Sequence, residues 1–141
     1  MNIQDILFRA KRIGYDEWVE GFIFATYEHT YIALPEYFDV DLYFSPKNIF
    51  IEVIPETVCR YTGLVDKEGN KIFEGAILEC RYDSLYPEDT NLELILWHNN
   101  GWHRQEPGFL PEEIEEENIL ANGVVIGNIY DNPELWEGDV K

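Results

Sequence analysis

A chain of 141 residues is long enough to bury roughly two thirds of its unfolded surface, so it needs neither disulfide nor metal to fold as one domain or two subdomains. Its 28 acidic residues against 10 basic, a net charge of −18, argue against direct binding to nucleic acid or to an anionic membrane, both of which require clustered cations. Hydrophobic residues at 45% and aromatics at 15% exclude a disordered chain.

Short runs of β-branched and aromatic residues recur at intervals of about ten, bounded by turn residues, and long amphipathic helices are missing; the pattern predicts a mainly β fold, β-rich α+β at most. Ile6 to Ala10, the turn-prone Arg12 to Asp16, and Glu17 to Ala25 read as a first hairpin. Along its second arm the period of two puts Trp18, Glu20, Phe22 and Phe24 on one face and Val19, Gly21, Ile23 and Ala25 on the other. Tyr27 to Asp41, tyrosine-rich and interrupted by Pro35, is expected to be loop with short extended pieces. Ile49 to Ile54 is a strand. The bend Pro55-Glu56-Thr57 after it marks the expected division between an N-terminal β subdomain, residues 1–54, and a second region, residues 55–141.

Beyond the bend, Val58 to Val65 and Lys71 to Cys80 pair across Asp66-Lys67-Glu68-Gly69-Asn70. Asp66 can accept a hydrogen bond from the backbone two residues on, and Gly69 supplies the positive φ that closes such a loop. Gly75 lies inside a strand pattern, which predicts a bulge or a close backbone approach, as at the corner of a small barrel. Leu92 to Trp97 and Trp102 to Arg104 make a third hairpin over His98-Asn99-Asn100-Gly101, with Gly101 expected at positive φ. Three hairpins favour a partly open roll or barrel. Pro111 to Leu120, with Pro at its first position and acids behind it, suits a short helix. Val124 to Tyr130 is the last strand, ending at Asp131-Asn132-Pro133 before a short acidic tail.

Cys59 and Cys80 sit in apolar, strand-like stretches with no secretory signal before them and read as reduced core residues. No run approaches the roughly 18 apolar residues of a membrane span, so the expected location is the bacterial cytoplasm. His29, His98 and His103 occupy separate turn or strand-end positions; His98 and His103 flank a hairpin loop near Glu106 and Asp89, without the ligand spacing that makes a metal site, and no metal or cofactor is expected. The rings of Trp18, Trp97, Trp102 and Trp136 lack the basic groove that stacking on single-stranded nucleic acid needs, so they are assigned to core or protein interface, with Trp136 a candidate anchor to another subunit.

Three segments carry a resemblance: Phe8-Arg9-Ala10 followed by a Trp and a Gly; a central block of Pro55-Glu56-Thr57-Val58, Tyr61-Thr62-Gly63-Leu64, Asp66, Gly69, Ile72 and Phe73-Glu74-Gly75; and Val125-Ile126-Gly127-Asn128-Ile129-Tyr130-Asp131-Asn132-Pro133-Glu134-Leu135. In order and spacing they resemble the YopX-like family of phage and prophage proteins. The chain departs from the family pattern at Lys11, where Trp is usual, and at Ala76, where Asp is usual; were that Asp catalytic, this chain would lack it. The resemblance implies a mostly β fold with an SH3-like roll in the C-terminal half, a mobile-element origin and no established activity.

Within the block, Glu56, Asp66 and Glu74 are the carboxylates that could divide acid and base roles. Asp66 is explained by its turn, and Glu56 with Thr57 by a hydrogen-bonded bend, which leaves Glu74 as the best catalytic candidate. No nucleophile motif or glycine-rich phosphate loop accompanies it. The leading expectation is therefore a non-enzymatic module that binds a protein, a basic one by charge, and self-associates through strand edges. The alternatives are a small carboxylate enzyme centred on Glu74 and an acidic DNA mimic that occupies a host nucleic-acid-binding protein.

Overall fold

The alternation of apolar and polar side chains is realised as antiparallel strands in the computed structural model, which describes residues 6–34, 50–81, 90–114 and 122–137. They fall into two units, residues 1–61 and 62–141, each with its own core. The division lies inside a strand.

In the first unit, β1 (Phe8–Lys11), β2 (Trp18–Ala25), β3 (Thr30–Ala33) and β4 (Phe50–Val53) lie in the order β4-β3-β2-β1, and the opening residues of β5 (Cys59–Val65) pair with the far side of β1. The first hairpin holds the register Phe8↔Gly21 to Lys11↔Trp18. β3 falls where the sequence suggests loop with short extended pieces. It has only four residues, too few for periodicity to register, and its position is set by its neighbours β2 and β4. Pro35 to Asp41 lie outside the described residues.

The core face of this sheet carries Ala10, Ile32 and Val53, all fully buried, with Phe8, Val19, Ile23, Leu34 and Val58 packed against them. The chain between β1 and β2 reaches β4: Arg12 bridges Val53, Ile13 N donates to Glu52 O at 3.0 Å, and Ile54 N donates to Lys11 O at 2.8 Å. These bonds occupy backbone groups on the outer edge of β4. The 3-10 turn Pro55–Thr57 is tied to β1 through Thr57, whose Oγ1 donates to Ile54 O at 2.7 Å and accepts from Lys11 N at 2.9 Å.

In the second unit the remainder of β5 pairs with β6 (Lys71–Phe73). β7 (Ala76–Cys80), β8 (Asn91–His98), β9 (Gly101–Gln105), β10 (Glu112–Glu113) and β11 (Gly123–Asn128) form a sheet in the order β10-β9-β8-β7-β11. This sheet is open and not closed into a barrel: its end strands β10 and β11 do not pair with each other. The core of the second unit holds Ile72, Ala76, Leu78, Cys80 and Ile95, flanked by Leu64, Trp102, Ile114 and Val125. The chain then turns into α1 (Pro133–Glu137), the lone α-helix among the described residues, where the sequence suggests only an acidic tail. Cys59 and Cys80 are both buried. No described helix is long and apolar enough to cross a membrane.

Three local expectations are corrected. The run Lys71 to Cys80 is two strands, broken at Glu74-Gly75, where Gly75 takes φ +85°. Its N–H donates to Ile95 O at 2.7 Å and its carbonyl accepts from Ile129 N at 3.0 Å, so the expected close backbone approach is made by a turn and not a bulge. The β8–β9 hairpin puts positive φ on Asn99 (48°) and Asn100 (62°) and not on Gly101. A two-residue hairpin loop of type I′ has positive φ at both central positions, which asparagine tolerates. Glu112 and Glu113 lie in β10, paired with Arg104 and His103, instead of opening a helix. Pairing with β9 and burial of Ile114 outweigh a weak helical preference; residues 115–120 of that expected helix are outside the described set.

Candidate functional site

The residues singled out by sequence hold backbone in place. Asp66 is buried, 4% exposed. Its Oδ1 accepts from Glu68 N at 2.9 Å and Asn70 N at 2.8 Å, and its Oδ2 accepts from Asn70 Nδ2 at 3.1 Å and Val125 N at 2.9 Å. Burial alone would raise its pKa, but the hydrogen bonds from Val125, Asn70 and Glu68 stabilise the charged form and hold the carboxyl below the ordinary aspartate value. The bond to Val125 spans 59 residues. Together with Lys67 N donating to Gly123 O at 2.9 Å, it occupies backbone groups on the outer edge of β11.

The other signature residues behave alike. Thr62 Oγ1 donates to Ile72 O at 2.8 Å and accepts from Leu64 N at 3.1 Å. Gly63 and Gly69 take φ near +85° in open space. Asn128 Oδ1 accepts from Tyr130 N and Asp131 N, both at 2.9 Å, and Asn132 Oδ1 accepts from Asn128 N at 3.3 Å. A side chain at Gly127 would strike that Asn132 carboxamide, and Pro133 opens α1 just beyond. Glu56 is exposed in the 3-10 turn, and Glu74 is half-buried in the β6–β7 turn. The geometry thus unites Asp66 with β11 and Gly75 with Ile95 and Ile129. It brings no second carboxylate to Asp66 among its hydrogen-bond partners. His98 and His103 stack edge-on at 5.2 Å, and no group of three or more metal-ligating side chains occurs among the described residues. Trp136 is half-buried, and Asp89 lies outside the described set.

Two features escaped sequence reasoning. The first is a buried ion pair in the second unit: Arg104 Nη1 donates to Glu93 Oε1 at 2.9 Å, and Nη2 to Glu112 Oε2 at 3.3 Å. Glu93 is fully buried, and the pair lines a cavity of about 240 Å³ with Glu106, Phe109, Leu110 and Glu112. The available signal was Glu93 as the single charge within Leu92 to Trp97, on the same strand face as Ile95.

The second feature is the outer face of the first unit's sheet. With Val19, Gly21 and Ile23 turned to the core, the alternation sends Phe22 and Phe24 to the opposite side, where the register sets them beside Ala33 and Tyr31 of β3 and, across Ala33, Phe50 of β4. Phe24 lies 6.3 Å from Tyr31 and 5.9 Å from Phe50, ring centre to ring centre. Phe22, Phe24 and Phe50 remain 43%, 52% and 38% exposed. An antiparallel sheet normally presents polar residues on the face it turns to water, and contiguous exposed apolar surface marks an interaction site. Carboxylates stand at one end, Glu52 opposite Tyr31 in register and Glu28 beyond it, with His29 Nδ1 3.3 Å from Glu52. At the other end Arg9 and Lys11 lie over the Trp18 ring at 4.6 and 5.7 Å. The sequence showed that Phe22 and Phe24 share a face but not which face the core takes.

Comparison with known proteins adds a family and a fold. The family described as YopX protein matches residues 8–137. A comparison with curated protein sequences gives no match. The crystal structure of protein EF1440 from Enterococcus faecalis is similar over 93% of this chain and 98% of that one, at 26% identity and a TM-score of 0.57.

Proposed function

The chain belongs to the YopX protein family, and from that premise we propose that it is a non-enzymatic accessory module, of phage or prophage origin and acting in the cytoplasm, that works by binding protein. The observation that carries this reading is the ring-lined outer face of the first sheet, where Phe22, Phe24 and Phe50 stand in water at 43%, 52% and 38% exposure. Three large apolar side chains held on β2 and β4, on either side of β3, offer a preformed contact surface with little ordering left to lose on binding. In the first unit, the outer edge of β4 is already bonded to the chain's own backbone around Arg12, which favours the face over that edge as the place of contact. The alternative enzyme centred on Glu74 draws no support from Asp66, whose carboxylate is engaged by four donors.

The test is the triple substitution Phe22→Ser, Phe24→Ser, Phe50→Ser. These side chains project away from the core, so circular dichroism and thermal unfolding should remain close to those of the native protein. Enhancement of an apolar-surface dye should fall sharply. Native-like dye binding in the folded variant would sink the reading.

A further inference from the structure

The ring face has a chemistry more specific than apolarity, and it bears on what kind of protein segment it receives. In the first unit the chain already places its own cations on aromatic rings: Arg9 lies 4.6 Å from the centre of Trp18, and Arg12 lies 4.0 Å from that of Tyr15. At the opposite end of the face the rings of Phe24, Tyr31 and Phe50 are grouped; Glu52 lies opposite Tyr31 in register, and His29, 6.2 Å from the Tyr31 ring, stands 3.3 Å from Glu52 and 4.0 Å from Glu28, which brings both carboxylates to this end. Among the described residues no lysine or arginine of the chain lies over those three rings. A guanidinium is the group that suits both features at once. Its plane stacks on an aromatic face, its edge pairs with a carboxylate, and it is weakly hydrated enough to be desolvated there. The charge of the whole chain, −18, steers a cationic segment toward the protein and opposes a second copy of the chain.

Resting on the protein-binding reading above, we propose that the Phe22, Phe24, Tyr31 and Phe50 face receives an arginine-bearing amphipathic segment of a partner protein. Apolar side chains of that segment lie on Phe22 and Phe50. An arginine stacks over Phe24 and Tyr31 and pairs with Glu52 and Glu28.

The probe is a fluorescein-labelled amphipathic peptide of leucine and arginine, with versions carrying lysine or glutamate in place of arginine, titrated by anisotropy against the full chain. Binding should follow the order arginine, lysine, glutamate. Phe24→Ser with Phe50→Ser should weaken the arginine peptide by about tenfold or more, and Glu28→Gln with Glu52→Gln by about tenfold, near 1.4 kcal/mol. As a charge-matched control, Glu113→Gln with Glu134→Gln removes the same two charges from exposed positions of the second unit and should change binding less than about twofold. Equal weakening by the two glutamine pairs would mean diffuse attraction to an acidic protein and would overturn the proposal. So would peptide binding unaffected by the serine variant, or a concentration-dependent doubling of mass that the serine variant abolishes, since the occupant would then be a second copy. The two readings fail separately: unchanged dye binding in the serine variant removes the protein-binding face itself, whereas lost dye binding without preference for arginine removes only the arginine-bearing partner.

Discussion

At the scale of single residues, Asp66 shows how a family signature can be a folding device. One carboxylate serves donors of its own turn and one from β11, and the hydrogen bonds outweigh the penalty of burying the charge. Because its folded pKa is lowered, its contribution to stability is fully present above the unfolded value of 3.8 and is lost as pH falls through the lower folded value. Asp66→Asn should destabilise the protein by about 2–3 kcal/mol at pH 7, since an amide nitrogen would meet a backbone N–H where an oxygen now accepts. Urea unfolding should show the gap to the native protein narrowing toward pH 3; a gap independent of pH would mean that the carboxylate is not what the turn uses. Gly75, at φ +85° with Tyr130 Cε2 3.3 Å from where a Cβ would stand, lies under a similar constraint, and Gly75→Ala should cost about 1–2 kcal/mol.

At the scale of elements, two close fits decide stability. A Cβ at Gly21 on β2 would strike the Ala33 carbonyl of β3 and lie 2.9 Å from Ile32 Cγ2, and a backbone obstacle cannot rotate aside. Gly21→Ala should therefore cost about 3 kcal/mol. Gly14→Ala, with nothing within 4 Å of the new carbon and only a positive φ of 81° against it, should cost about 1 kcal/mol. Thermal unfolding of the two variants side by side tests the ordering. On the β8–β9 hairpin, Arg104→Met removes the guanidinium from buried Glu93 and should destabilise by about 3 kcal/mol, while Glu93→Met with Arg104→Met should recover most of that loss, because the desolvation penalty goes with the pair. A double variant no better than the single one would show that the pair is needed for more than mutual neutralisation.

At the scale of the whole molecule, charge is the dominant fact. A net charge of −18 on 141 residues repels itself in the compact state. Raising sodium chloride from about 20 to about 300 mM should raise the melting temperature by roughly 4 °C for each 1 kcal/mol of repulsion screened. The proposed arginine-bearing partner would join this charge to the ring face, two otherwise separate properties of the chain.

The sequence by itself determined the mainly β character, the first and third hairpins, and the turn around Asp66, because each rests on periodicity or turn chemistry within about ten residues. It also placed Phe22 and Phe24 on a common face. Tertiary structure alone decided the rest. β3 is too short to announce itself, and β10 is held by pairing with β9 against a helical pattern. The bond from Val125 N to Asp66 and the pairing of Glu93 with Arg104 join residues 59 and 11 apart, so they exist only once strand register is set. Which side of β2 meets water was decided in the same way: Ala10, Ile32 and Val53 closed the core on the Val19 face, and the rings on the other side were left exposed.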